Sequence, residues 1–475
     1  MSGFAEYERY DASGLAELVR RRQVSPRELL EAAIERVESR NGAVNAVTMR
    51  LDDYGRRAIA AGVPDGPFTG VPFLMKDLTA SIAGVPMTRS SRFFADAPAP
   101  AADSGHVARL ERAGLVIFGR TYTCELGLSL TCEPRMHGPT RNPWDPTRIS
   151  GGSSGGAAAA VGARMLPMAH ATDGFGSIRA PAACCGLVGL KPTRGRNTMA
   201  PGLGEGLGGC SVEHAVTLSV RDSAALLDAT SGPGAGDPYV APAPARPFRQ
   251  EVGAEPGALR IAFTSLAPNG AKVEADSLRT LTETVKLCAG LGHRVEEADP
   301  AIDRPAVVST FLTLAAANTV VNLASHPTKG RSARADEVET VTWATAKLGE
   351  KISGADYVRA TQAAHRLGRQ MAAFHEGWDV LLTPGLATLP VRLGWLDMMM
   401  DDVDEYWRRV FAFSPVWFNL TGQPAMMLPL GRSADGLPVA VQLVGRFGDE
   451  ATLFRLAAQL EAARPWFERK PALAS

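Results

Sequence analysis

Small residues, with serine and glycine in two clusters, are concentrated in residues 150–183 more densely than in any other stretch of this length. One cluster, GGSSGG, occupies positions 151–156, and a second, TDGFGS, occupies positions 172–177. Glycine is used where the backbone must adopt positive φ angles or approach another group closely. Two such clusters on either side of a short run with helical character predict a site built from main-chain amides, with serine hydroxyls placed among them.

A serine nucleophile needs a neighbouring group that accepts its proton. No histidine is an obvious candidate here, but Lys76 lies in the apolar segment VPFLMKDL at positions 71–78. Burial lowers the pKa of a lysine because desolvation disfavours the charged form, so a buried Lys76 can act as a base. The alternative is a lysine paired with Asp77 or another carboxylate at a strand end. Taken alone, this segment favours the alternative.

Three other chemistries are poorly supported. Residues 151–155 match the G-x-S-x-G pattern of a nucleophile elbow, but the segment before them holds Pro143 and Pro146 and cannot be the central strand which that turn requires. No G-K-[ST] follows the glycines, so a phosphate-binding loop is not expected. The eight histidines are scattered without metal-ligand spacing, so no metal site is predicted. His170, near the serines, is expected to be a hydrogen-bonded structural residue.

Charge and composition narrow the function classes. The 475 residues carry a formal net charge of zero, so no basic field is available for nucleic acid or an anionic membrane. The polar N-terminus does not resemble a signal peptide, and no apolar stretch is expected to span a bilayer. The six cysteines are expected to be buried free thiols. Together these observations predict a cytoplasmic protein that binds neither nucleic acid nor membrane.

The pattern of elements predicts an α/β architecture. The sequence SPRE at positions 25–28 has the layout of a capping box, with Ser25 as N-cap of a helix. Apolar segments at 71–78, 115–119, 186–191 and 379–383 predict buried strands, and residues 302–376 are expected to be mostly helical. Strands alternate with helices along the chain, which is typical of an α/β protein. Residues 231–256 are rich in Pro, Gly and Ala and resemble a linker.

The motifs, taken together and in this order, resemble those of the amidase signature family. GVPFLMKD at 70–77 is similar to the family's G-x-P-x-x-x-K-D, and GGSSGG at 151–156 is similar to its GGSSGG. TDGFGSIR at 172–179 resembles T-D-x-G-G-S-I-R, and further similar blocks continue to the end of the chain. The resemblance implies one α/β/α domain over residues 1–475, with a mixed twisted sheet covered by helices on both faces. Its core would be about 60–230 plus 375–465, with a variable, mostly helical region at about 300–415.

The resemblance also implies a catalytic triad. Ser177 would attack the amide carbonyl, and Ser153, after a cis peptide bond from Gly152, would relay the proton to a neutral Lys76. The backbone amides of Gly174, Phe175 and Gly176, with that of Ser177, would stabilise the oxyanion. Asp173 and Arg179 would brace this loop. One departure from the family pattern is Phe175, because the family usually has glycine at this position.

Within the family, residues 68–78, 132–134, 140–144 and 167–179 resemble the branch of 6-aminohexanoate cyclic-dimer hydrolase and related enzymes of small, xenobiotic-like amides. This implies hydrolysis of carbon–nitrogen bonds in small, largely uncharged amides through an acyl-serine intermediate. A carbamate or ester hydrolase with the same triad, or an amidotransferase A-type subunit, remains open. Residues 127–132 and 302–415 would wall the pocket, with Thr131 and Cys132 touching substrate. Aromatic and Met residues are candidates for its apolar lining, with plain core as the alternative: Trp343, Met398–Met400, Trp407 and Trp417. No cofactor is implied, the expected partner is the small amide itself, and a homodimer is the oligomer considered.

Overall fold

The computed structural model describes residues 4, 6–267, 272–413 and 417–474. Residues 414 and 415, at the end of the predicted variable region, lie outside the described residues. The strands are β1 (Val47–Arg50), β2 (Pro72–Lys76), β3 (Val116–Thr121), β4 (Met168–Asp173), β5 (Val188–Lys191), β6 (Val212–Thr217), β7 (Arg260–Phe263), β8 (Arg294–Glu297), β9 (Val380–Pro384), β10 (Ala425–Arg432) and β11 (Pro438–Gly445).

The helices complete the element order. They are α1 (Ala12–Arg20), α2 (Pro26–Val44), α3 (Asp52–Ala61), α4 (Gly105–Arg112), α5 (Gly155–Gly162), α6 (Arg179–Cys185), α7 (Val220–Thr230), α8 (Ala275–Gly290), α9 (Arg304–Leu323), α10 (Thr340–Gly349), α11 (Gly354–Gly377), α12 (Val403–Phe413), α13 (Phe418–Thr421) and α14 (Glu450–Ala463). The capping box predicted before α2 is present, since Ser25 accepts from the Glu28 N–H and Glu28 accepts from the Ser25 N–H.

Eight strands form one mixed sheet in the order β4-β6-β5-β10-β11-β9-β7-β8. Neighbouring strands from β4 to β9 run antiparallel, whereas β7 runs parallel to both β9 and β8. The β10–β11 register shifts between Leu428 and Gly431. Pro429 lies at this irregularity, where a residue without an N–H can be tolerated inside a sheet.

Helices cover both faces of this sheet. In β10, Met426 and Leu428 pack into one buried cluster with side chains of α7, α8 and α14, while Ala425 and Met427 join a second cluster with α5 and α6. Successive residues of a strand point to opposite faces, so this division shows apolar packing on each side. The α/β fold with a mixed, doubly covered sheet is therefore confirmed.

A second, three-stranded sheet carries the predicted lysine. Its order is β1-β3-β2, with β1 antiparallel and β2 parallel to β3. All five residues of β2 are buried. The N–H of Lys76 donates to Nδ1 of His170 in β4 (3.3 Å), so the end of β2 is joined to the edge strand of the large sheet.

Two strands were not predicted from the sequence, and both matter for the site. Strand β4 lies between the two Gly/Ser clusters, where the small-residue run suggested only a helix. Strand β6 pairs with β4 over its whole length. Both strands are completely buried, and β6 carries the polar residues Glu213 and His214. A polar buried strand lacks the apolar run or the alternation by which strands are predicted.

The predicted helical region between β8 and β9 is confirmed as α9, α10 and α11. Helix α9 is the one described helix that is long and apolar enough to cross a membrane by length and composition. Its residues Phe311, Leu314 and Ala315 belong to the main buried cluster. In this fold α9 is a packed helix, and one of its faces forms a wall of the cavity described below.

Candidate active site

Lys76 is the last residue of β2 and is fully buried. Its Nζ lies 2.7 Å from Ser153 Oγ, 2.9 Å from Ser154 Oγ and 2.9 Å from Thr172 Oγ1. No carboxylate lies within 4.0 Å of this nitrogen in the described part of the chain. Burial lowers the pKa of Lys76 to about 8, because three neutral hydroxyls replace water around the amine.

The alternative prediction, an ion pair between Lys76 and Asp77, is wrong. The Asp77 carboxylate accepts hydrogen bonds from the N–H and the hydroxyl of Thr88, at 3.2 and 2.6 Å. Its cationic neighbours are Arg120, with Nε 3.9 Å away, and Arg89, which interacts with it over a longer distance. Asp77 is the first residue after β2, and its carboxylate has partners different from those of the Lys76 amine.

Ser153 follows a cis peptide bond from Gly152, as the family resemblance implies. A Cβ on Gly152 would overlap the backbone of Thr131, so the close approach of the two chains requires glycine. Helix α5 begins at Gly155, directly after Ser154. Within the described residues no strand leads into this turn, which agrees with rejecting the nucleophile elbow.

Ser177 lies in the short loop between the end of β4 at Asp173 and the start of α6 at Arg179. Gly176 has a φ of 110°, a conformation that suits glycine. Its N–H donates to Asp173 Oδ1 at 2.5 Å, so this amide does not point freely into the site as expected. Among the described residues, no hydrogen bond uses the N–H of Gly174, Phe175 or Ser177. These three amides remain available as donors.

A buried ion pair holds the loop, as the resemblance implied. Arg179 donates from Nε to Asp173 Oδ2 (3.0 Å) and from Nη2 to Oδ1 (3.1 Å). Asn419 donates to the Asp173 backbone and side chain (both 2.9 Å), and Gln442 of β11 accepts from Arg179 (2.8 Å). Burial alone would raise the pKa of Asp173, but the Arg179 charge and these hydrogen bonds hold it well below its usual range.

Both serines open into one cavity of about 450 Å³. Its lining is mostly apolar and comes from residues 126–130, the segment 199–211, α9 and α12. A larger cavity of about 740 Å³ lies along α11 and α13, but none of the predicted site residues lines it. The chemistry therefore assigns the smaller cavity, not the larger one, to the active site.

Phe175 forms part of the cavity wall, with a side chain that is 7% exposed. Its ring stacks on Phe311 of α9, with centroids 3.7 Å apart, and meets Phe411 of α12 edge-on at 5.5 Å. Trp407 lies 6.0 Å from Phe311 and also lines the cavity. The φ of Phe175 is not positive, so a side chain is accommodated where the family usually has glycine. It joins the nucleophile loop to the helical region.

The structure revises the expected substrate contacts. Residues 127–130 line the cavity as predicted, but Thr131 and Cys132 are not among its lining residues. Thr131 Oγ1 donates to Glu133 (2.6 Å), and Cys132 Sγ lies 3.4 Å from Thr140 Oγ1, so both side chains have partners outside the cavity lining. Among the aromatic and Met residues considered for the pocket (Trp343, Met398–400, Trp407 and Trp417), only Trp407 lines the cavity.

One group of possible metal ligands was missed by sequence spacing. His106, His170 and Glu213 are all buried, and their ligand atoms lie within 4.8 Å of one another. They come from α4, β4 and β6, so no local spacing could reveal them. Burial raises the pKa of Glu213 to about 7. His170 Nδ1 accepts the Lys76 N–H, which agrees with the structural role expected for this histidine.

Comparison with known proteins gives the same assignment. The sequence profile of the amidase family matches residues 28–454. The chain is a member of the amidase family. A 6-aminohexanoate-cyclic-dimer hydrolase from Pseudomonas sp. (strain NK87) is 37% identical over 479 aligned positions, which cover 98% of this chain and 96% of the relative.

Solved structures show the same relationship for this amidase. A 6-aminohexanoate cyclic dimer hydrolase complexed with substrate has a TM-score of 0.92 and 35% identity, covering 98% of this chain and all of the other. A bacterial aryl acylamidase of the amidase signature family has a TM-score of 0.90 and 26% identity, covering 98% of each chain. The protein is thus an amide-hydrolysing enzyme with the amidase signature fold.

Proposed function

We propose that this amidase hydrolyses small, largely uncharged amides through an acyl-enzyme on Ser177, with Ser153 as proton relay and Lys76 as base. The observation that supports the proposal most strongly is the buried contact of 2.7 Å between Lys76 Nζ and Ser153 Oγ. A desolvated lysine with a pKa of about 8 supplies an appreciable neutral fraction near neutral pH, as a general base requires.

The hydrogen bonds around Lys76 favour a defined direction of proton transfer. The Ser154 hydroxyl donates to the Thr172 carbonyl (3.2 Å), so Ser154 can only accept from Lys76. A neutral amine has two N–H donors and one lone pair. With its two donors directed at Ser154 and Thr172, the lone pair accepts the Ser153 hydroxyl proton. Ser153 in turn accepts the proton of Ser177 as Ser177 attacks the carbonyl carbon.

The remaining steps use the amides of the Ser177 loop and the same pair of Lys76 and Ser153. The N–H groups of Gly174, Phe175 and Ser177 stabilise the oxyanion, a contribution of about 3 kcal/mol for each well-aligned donor. The protonated Lys76 returns its proton through Ser153 to the leaving amine, and the C–N bond breaks. Water then attacks the acyl-Ser177 ester with the same base, which releases the carboxylic acid and restores the serine.

The substrate class is inferred from the cavity wall. The aromatic side chains of Phe175, Phe311 and Trp407 surround the approach to the serines, which favours an apolar body on the substrate. The printed names of the relatives, a cyclic-dimer hydrolase and an aryl acylamidase, agree with small amides of this kind. We therefore expect anilides and cyclic amides to be turned over.

A substrate panel combined with active-site labelling tests the proposal. Purified enzyme is assayed with anilides, cyclic amides, carbamates and esters, and a fluorophosphonate probe is used to label the nucleophile. We expect amide turnover, labelling of Ser177, and loss of both in Ser177→Ala. Faster turnover of carbamates or esters than of every amide would instead favour the alternative hydrolase. Glutaminase activity that appears only with a partner chain would favour the amidotransferase subunit.

A further inference from the structure

The active-site cavity contains one charged side chain that the proposed mechanism does not use. Among the described lining residues, Arg89 is the only Lys, Arg, Asp or Glu. It belongs to the segment between β2 and α4 and is partly exposed, so it is accessible from the cavity. The rest of the lining is apolar or neutral. Arg89 therefore places one positive charge in this wall, and none of the proposed hydrolysis steps uses that charge.

Arg89 is held in position by its backbone and by its side chain. Both Arg89 (φ 53°) and Ser90 (φ 50°) adopt the left-handed conformation, which is rarely populated by residues other than glycine. The Arg89 carbonyl accepts the Leu126 N–H (3.0 Å), and Leu126 also lines the cavity. The guanidinium carbon lies 4.6 Å from the centre of the Phe94 ring. These contacts fix the guanidinium before any ligand binds.

In the described part of the chain, no carboxylate forms a direct ion pair with the Arg89 guanidinium. No Asp or Glu oxygen lies within 4.0 Å of it in the part of the chain that the structure describes. With the described residues, the side chain of Arg89 makes one hydrogen bond, a long one to Ser325 Oγ (3.4 Å). The buried guanidinium groups of Arg179 and Arg196 each bind a carboxylate directly, at 3.0 and 2.8 Å. Burial lowers the pKa of Arg89, and the charge of Asp77, a carboxylate beyond 4.0 Å, offsets this effect only in part.

Neutral hydrogen-bonding groups lie beside this cation. Asn318 and Asn322 are four residues apart on α9, so they share one face of the helix, and both line the cavity. Ser325, just beyond the end of α9, lines it as well and contacts Arg89. No side-chain hydrogen bond of Asn318 or Asn322 is present among the described residues. This wall therefore offers one guanidinium and two amides to a ligand.

We propose that Arg89 binds a carboxylate of the substrate, so that the preferred substrates are apolar amides carrying one carboxylate remote from the scissile bond. This inference rests on the proposed function and revises its substrate class in one respect: the amide body is uncharged, and a single remote carboxylate is added to it. A guanidinium suits this role because it can form two parallel hydrogen bonds to a carboxylate. Asn318 and Asn322 supply further donors beside it.

Matched substrates test this assignment. Anilides of ω-carboxyalkanoic acids are compared with anilides of alkanoic acids of equal length, and a second pair carries the carboxylate on the amine half. In at least one pair, we expect kcat/KM to be about 10- to 100-fold higher for the carboxylate form, mainly through KM. Arg89→Gln should bring this ratio close to one, and Arg89→Lys should keep part of it. Arg366→Gln, on the exposed side of α11, is the matched control and should retain the full ratio.

A binding measurement separates failure of this inference from failure of the proposed function. The same amide pairs are titrated calorimetrically into Ser177→Ala and into Ser177→Ala/Arg89→Gln, which requires no turnover. Tighter binding of the carboxylate forms that depends on Arg89 supports the inference even if hydrolysis is absent. Equal binding and equal turnover of both forms would overturn it. Turnover of neither form, with no labelling of Ser177, would instead contradict the proposed function.

Discussion

Raising the pH from 7 to 9 should increase kcat/KM for a neutral anilide about tenfold. Burial lowers the pKa of Lys76 to about 8, so about one tenth of the lysine is neutral at pH 7 and about nine tenths at pH 9. Because only the neutral amine accepts a proton, acylation follows this fraction upward with pH. The assay is initial-rate spectrophotometry of aniline release in buffers of constant ionic strength.

A second buried group titrates in the same range and needs a control. Burial raises the pKa of Glu213 to about 7, and its negative charge raises the pKa of Lys76. In Glu213→Gln the rise in kcat/KM should therefore persist, with its midpoint moved to lower pH. A pH profile that is flat from 6 to 9, or one that falls with pH, would refute the assignment of Lys76 as a neutral base.

Three substitutions test how the site is held together. Phe175→Ala removes a ring that is 7% exposed and lies 3.7 Å from the Phe311 ring, so the free energy of unfolding in urea should fall by about 3 kcal/mol. The control Phe447→Ala, at a residue that is 48% exposed, should change this free energy little. Gly152→Ala should abolish activity and lower the free energy of unfolding by about 3 kcal/mol, because the added Cβ would overlap the backbone of Thr131. The control Gly42→Ala, in an open part of α2, should raise the free energy of unfolding slightly. Normal activity in Gly152→Ala would contradict the packing argument. Asp173→Asn leaves the buried guanidinium of Arg179 without its anion and should lower the free energy of unfolding by about 3–5 kcal/mol. An unchanged denaturation midpoint would show that the loop does not depend on this ion pair.

Much of the site could be predicted from the sequence because the family motifs are local. The clusters containing Ser153 and Ser177 and the segment containing Lys76 each fall within eight residues or fewer. The buried environment of Lys76 followed from the apolar residues around it. Whether it paired with Asp77 could not be decided, because that depends on the direction of the chain after β2 ends and on Thr88, eleven residues from Asp77.

What the sequence did not reveal depends on contacts between distant segments. Thr131 and Cys132 lie directly after cavity-lining residues, yet their side chains contact Glu133 and Thr140, which do not line the cavity. The Gly176 amide is directed to Asp173 by a loop conformation that the motif does not specify. Strands β4 and β6 are buried but contain polar residues, so their composition did not predict buried strands. Arg89 reaches the cavity because Arg89 and Ser90 adopt the left-handed conformation, which no sequence pattern predicted.

The central claim is that hydrolysis passes through an ester on Ser177. Enzyme mixed rapidly with a slow anilide is quenched in acid and analysed by intact-protein and peptide mass spectrometry. The account predicts a mass increase equal to the acyl group, located on the peptide that contains Ser177 and absent from Ser177→Ala. Continued amide hydrolysis by Ser177→Ala, or an acyl group found on a different residue, would contradict it.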